Sequence, residues 1–133
     1  MIKKVGDTEI LPRHKASCHC GSVVMMLTLP NGIVDPRRCS CSYCRRRGAI
    51  TATTYQEDIN ILKGEDKLGL YQFNTGTAEH YYCSKCGIYT HHKRRSSPDQ
   101  YGYNVANLEG VNPFLLGEVP TFDGINHPSD REK

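Results

Sequence analysis

No apolar run in this chain approaches the roughly 20 residues that a membrane helix needs. The longest, Val23–Leu29, is interrupted by Thr28. The N-terminus, Met1-Ile-Lys-Lys-Val-Gly-Asp, places no apolar stretch after its lysines and does not read as a secretory signal. A mean hydropathy of −0.55 adds the expectation of solubility. These absences predict a cytoplasmic protein in a reducing compartment, with no membrane partner. Strong charge is missing as well. The net charge is +3 and the pI about 8.5, below the range of dedicated nucleic-acid binders. Eight tyrosines are present but are not interleaved with basic residues as a base-stacking platform requires. There is no long helical period, no internal repeat and no linker long enough to divide the chain. Its 133 residues therefore predict one domain, 1–133.

What the chain does have is cysteine. Seven cysteines fall into three tight clusters: Cys18-His-Cys20, Cys39-Ser-Cys41-Ser-Tyr-Cys44 and Cys83-Ser-Lys-Cys86. A reducing compartment argues against stable disulfides, and an odd number cannot pair completely. Buried structural thiols would scatter along the chain rather than cluster. Thiolate-rich clusters at this spacing favour zinc on softness and geometry. Seven ligands divide into a closed tetrahedral set of four and a set of three that leaves one position open, as at a catalytic zinc. Spacing alone allows two divisions. Cys41 and Cys44 with Cys83 and Cys86 form one ribbon-like set; Cys18 and Cys20 with Cys83 and Cys86 form the other, which keeps Cys39, Cys41 and Cys44 together.

Three segments carry a resemblance. Ala16-Ser-Cys-His-Cys-Gly-Ser-Val, Arg38-Cys-Ser-Cys-Ser-Tyr-Cys-Arg-Arg-Arg-Gly-Ala and Tyr82-Cys-Ser-Lys-Cys-Gly resemble the signature of the glutathione-dependent formaldehyde-activating enzyme (GFA) family, in order and spacing. The resemblance runs from about Lys15 to Asn112. It implies the second division: a structural zinc on Cys18, Cys20, Cys83 and Cys86, and a catalytic zinc on Cys39, Cys41 and Cys44. It also implies a mainly β fold of the Mss4-like β-tent kind with zinc knuckles. The activity implied is that of a carbon–sulfur lyase, or S-(hydroxymethyl)glutathione synthase, acting on glutathione and formaldehyde or another small aldehyde. From the residues alone the reading stops at a zinc that accepts a thiol. Zinc lowers a bound thiol's pKa, and the thiolate is the nucleophile. The alternatives are a thiol or anion carrier without turnover and a zinc-ribbon-like adaptor for nucleic acid or protein.

The coarse pattern agrees with a β fold. Gly21–Leu29, Ile50–Tyr55, Ile59–Leu62, Lys67–Phe73, Ala78–Cys83, Ile88–Lys93 and Tyr101–Leu108 read as strands. Asn74-Thr-Gly-Thr reads as a hairpin turn, and Ser40–Arg47 as one short turn or helix at the metal. Pro113, Pro120 and Pro128 predict an irregular C-terminal segment beyond a core at about 15–112. Gly21 and Gly87 follow cysteine pairs, where a metal knuckle often demands positive φ.

Five arginines bracket the trio: Arg37, Arg38, Arg45, Arg46 and Arg47. Arginine clamps carboxylates bidentately, and glutathione carries two. Arg38, Arg45 and Arg46 are therefore candidates for contact with glutathione, weighed against an ordinary solvated basic surface. Tyr43 is placed to donate a hydrogen bond to substrate, with packing the favoured account. Asn104 is a weaker candidate, because the matching stretch of the family lies near the catalytic zinc; strand-end hydrogen bonding is favoured for it, Asn107 and Glu109. Lys93-Arg94-Arg95 reads as a solvated loop edge. Of the six histidines, His19 should point away from the metal, His80, His91 and His92 are not expected to be ligands, and His14 and His127 carry no signal.

Overall fold

The computed structural model describes residues 1–73, 76–94 and 99–124. The chain is mainly β. A small ladder opens it, β1 (Lys4–Val5) against β2 (Thr8–Glu9). Next come β3 (Arg13–Ser17) and β4 (Val24–Thr28), an antiparallel hairpin whose turn carries the first cysteine pair. β5 (Arg38–Cys39) leads into the one-turn helix α1 (Cys44–Arg47). Then follow β6 (Thr51–Tyr55), β7 (Ile59–Lys63), β8 (Leu68–Tyr71), β9 (Glu79–Cys83), β10 (Tyr89–Lys93), β11 (Gln100–Asn104) and β12 (Thr121–Phe122).

These strands form two main sheets. One holds β3-β4-β7, and the other runs β6-β11-β10-β9-β8 in antiparallel order. Alternation drives the first: in β4, Met25 and Leu27 are buried while their neighbours are not. Val23, Met25, Leu27, Ile33, Ala52, Tyr103, Val105 and Leu108 make the shared core. Burying such side chains is worth about 1.5–3 kcal/mol each for the larger aliphatics. The sheets are joined where Ala16 bridges Leu108 and where the Glu109 N–H donates to Lys15 O at 2.8 Å. His14 adds to that joint. It is buried, with Nδ1 accepting from Leu11 N at 3.1 Å and Nε2 2.9 Å from Glu109 O.

The segment after Asn112 forms a 3-10 turn, Pro113–Leu116, and then returns as β12, parallel to β5. Arg94 differs from its expected place on a solvated edge. It is buried and donates through Nη1 to Thr53 Oγ1 at 2.9 Å, because β11 and β6 carry Thr53 beneath it; burial lowers its pKa to about 10. Arg95, His127 and Pro128 lie outside the described residues, as do Asn74 and Thr75 of the expected turn. The strands flanking that turn, β8 and β9, pair antiparallel from Leu68↔Cys83 to Tyr71↔His80.

Candidate metal centre

Two knuckles built alike bring four sulfurs together. In the β3–β4 turn the Cys18 N–H donates to Val23 O at 3.1 Å, and Gly21 N–H to Cys18 O at 3.2 Å. In the β9–β10 turn the Cys83 N–H donates to Ile88 O at 2.9 Å, and Gly87 N–H to Cys83 O at 2.7 Å. Gly21 and Gly87 hold φ of +76° and +79° with open space around them, so backbone conformation alone requires glycine there. The sulfurs of Cys18, Cys20, Cys83 and Cys86 all lie within 4.8 Å of one another. Cys20 Sγ is 3.7 Å from both Cys18 Sγ and Cys83 Sγ. Burial pushes the Cys18 thiol up to about 11, while the hydroxyl and N–H of Ser22 pull Cys20 down to about 6.

Cys39, Cys41 and Cys44 form a second group, again with every sulfur within 4.8 Å of the others. Of the two divisions that spacing allowed, the fold assembles this one. Cys39 ends β5, Cys41 lies in the connecting loop and Cys44 opens α1. The loop wraps its own sulfur: the Cys44 N–H donates to Cys41 Sγ at 3.2 Å, and the Arg45 N–H to Cys41 O at 3.0 Å. Gly48, in the left-handed region, caps the helix with its N–H on Cys44 O. The thiols of Cys39 and Cys44 drive the pKa of Cys41 down, and those of Cys39 and Cys41, with burial, drive Cys44 up. Three crowded thiols thus carry one charge readily and resist more. A soft divalent cation at their centre lifts that resistance, so the donor set fits zinc chemistry. None of the seven cysteines is in a disulfide.

Two different surfaces adjoin α1. On one side rings crowd Tyr43: its centroid is 4.6 Å from His80, 5.1 Å from Tyr71 and 5.4 Å from Phe73. Behind them Tyr89 Oη lies 2.6 Å from His92 Nδ1, with His92 held well below its ordinary pKa by burial and by Arg47. An open groove of about 220 Å³ is lined by residues that include Arg38, next to Cys39 in sequence, and Arg47, which touches Cys44, with Ile50, Asn104 and Phe114.

The family model of glutathione-dependent formaldehyde-activating enzymes matches residues 13–115. The chain belongs to that family. It is also 59% identical to a Rhodobacter sphaeroides protein of known crystal structure, with a TM-score of 0.78; the match covers 80% of this chain and 98% of that one.

The remaining candidates of this family member distribute as follows. Arg38, exposed, lines the groove and donates from Nη1 to Gly48 O at 2.6 Å. Asn104 lines it too, but its side chain is engaged: Oδ1 accepts from Ala106 N at 3.1 Å and Nδ2 donates to Tyr89 O at 2.9 Å. Tyr43 is packed in the ring cluster. Arg45 and Arg46 are exposed on α1 and do not line the groove; Arg46 Nη1 folds back on Ser42 O at 2.5 Å. Sequence reasoning did not single out Arg47 from its run, nor Tyr71, Phe73, Tyr89 or Phe114. For Arg47 a signal existed, since three residues after Cys44 is one helical turn.

Proposed function

We propose that this family member is a carbon–sulfur lyase that works forward as an S-(hydroxymethyl)glutathione synthase, with two zinc ions per chain and residues 1–133 forming one cytoplasmic domain. The observation that carries the reading is the coexistence of a four-sulfur set at the joint of the sheets and a separate three-sulfur set. Cys18, Cys20, Cys83 and Cys86 hold the structural ion, and Cys39, Cys41 and Cys44 the other. A zinc ion held there by three thiolates would accept a thiol as a further ligand and favour its thiolate form near neutral pH.

The chain's own residues do the rest. The Arg38 fork, anchored on Gly48 O, offers its other donors to a glutathione carboxylate. Tyr43, next to Cys44 in sequence, stacks with Tyr71 and Phe73 into an aromatic flank. The glutathione sulfur adds to the aldehyde carbon, the carbonyl π pair moves to oxygen, and that oxygen takes up a proton. The reverse reaction breaks the carbon–sulfur bond and returns thiol and aldehyde. The partners are accordingly a small thiol and a small aldehyde.

X-ray absorption of the zinc-loaded protein during glutathione titration tests this. The mean sulfur count per zinc should rise as glutathione binds, and hydroxymethyl adduct should form faster than in the uncatalysed mixture. A sulfur count indifferent to glutathione sinks the mechanism.

A further inference from the structure

Arg47 stands out among the arginines around the trio. The one-turn helix carries it to the same side as Cys44, three positions earlier. Its Nη2 donates to Cys44 Sγ at 3.4 Å, and its Nη1 lies 3.4 Å from His80 Nδ1. Its Cζ rests 3.7 Å above the Tyr89 ring and 5.1 Å from that of Tyr43. Its Nε is buried without a hydrogen-bond partner. Among the described residues no carboxylate lies within ion-pair distance of it. A guanidinium stays charged even when buried, and such a charge needs an opposite one nearby. Ring faces answer part of that need. Among the described residues, the group it touches that can supply such a charge is the Cys44 sulfur, as a thiolate.

We propose that Arg47 is a positioning residue of the three-cysteine site, balancing the negative charge that three thiolates leave around a divalent ion and holding the Cys44 sulfur toward that ion. The inference rests on the reading of the trio as a metal site. Three thiolates on a divalent cation carry a net charge of −1, and one guanidinium, seated against the Tyr43 and Tyr89 rings, brings the assembly to neutrality. Arg45 and Arg46, exposed on the same turn, make no such contact.

Cobalt(II) titration of the apo full-length chain tests this, because sulfur-to-cobalt charge-transfer bands report each thiolate site directly. Wild type should bind two ions. Arg47→Met keeps an unbranched apolar stem on Tyr89 but no charge, and should weaken the second ion by about 10- to 100-fold, with altered band positions and the first ion unaffected. Arg47→Lys keeps the charge without the fork and should recover part of that loss. A second ion bound to both variants with wild-type affinity and bands overturns the proposal, even if both melt earlier, since Arg47 would then serve packing alone. Wild type that binds one ion would instead overturn the reading of the trio, and this inference with it.

Discussion

His91 lies on the face of β10 turned away from the metal centre, stacked on Tyr81 at 4.7 Å and on Tyr101 at 6.3 Å. Thr90 Oγ1 is 2.9 Å from its Nδ1, and the nearby Tyr81 hydroxyl donates to Glu79 at 2.7 Å. The ring is only 5% exposed, and burial lowers its pKa from 6.5 to about 4. Between pH 6.5 and 4 the unfolded chain binds a proton at His91 that the folded chain refuses. Stability from this group is therefore whole above pH 6.5, falls as pH drops toward 4 and is flat below. The full loss is about 3 kcal/mol. His91→Asn should flatten the melting-temperature profile across that window relative to wild type. Parallel profiles for the two proteins would show that His91 does not titrate as its burial requires.

At the scale of elements, strands rich in Val, Ile, Thr and Tyr were legible, and those made by distant pairing were not. β4 and β6 through β11 announce themselves by composition. β3 does not: its inward residues are His14 and Ala16, and it is a strand because β4 pairs with it. β10 misleads in another way. The register shifts between Tyr89 and His91, so period two breaks and Tyr89 shares a face with His92. No local pattern tells that Tyr89 backs the trio. The cysteine clusters were legible because their spacing is local; which clusters share a site was not a matter of spacing. β5 and β12 are two-residue ladders 83 positions apart, joined by Arg38 N–H on Pro120 O at 2.9 Å and Ser40 N–H on Phe122 O at 3.0 Å. This contact lies past residue 115, where the family match ends. It closes because Gly124 has no side chain: a Cβ there would lie 2.6 Å from Cys39 Sγ and 2.6 Å from Cys41 Cβ. Gly124→Ala should lift the segment, at a cost of about 1–3 kcal/mol, and speed amide exchange at Arg38 and Ser40 at least tenfold. Unchanged protection at those two amides would mean that the strand tolerates the methyl group.

Across the whole molecule the two sulfur groups differ in what they close. Cys20 and Cys83 meet across 63 positions of chain and tie the β3–β4 turn to the β9–β10 turn, one from each main sheet. A link over that span removes about 4 kcal/mol of chain entropy from the unfolded state. The trio spans only residues 39 to 44, a loop so short that closing it constrains the unfolded chain little. The metals should therefore leave in two stages under a strong chelator. The ion of the trio goes first, with the far-ultraviolet circular dichroism of the sheets intact. The ion between the sheets goes second, and the strand signal collapses with it. Cys41→Ser should abolish the first stage and spare the second. Cys20→Ser should lower the melting temperature of the metal-loaded protein far more than Cys41→Ser does. A single stage in which both ions and the fold are lost together would show that the trio is as much a fastening of the sheets as the four-sulfur joint, and would remove the distinction on which an open, reactive site depends.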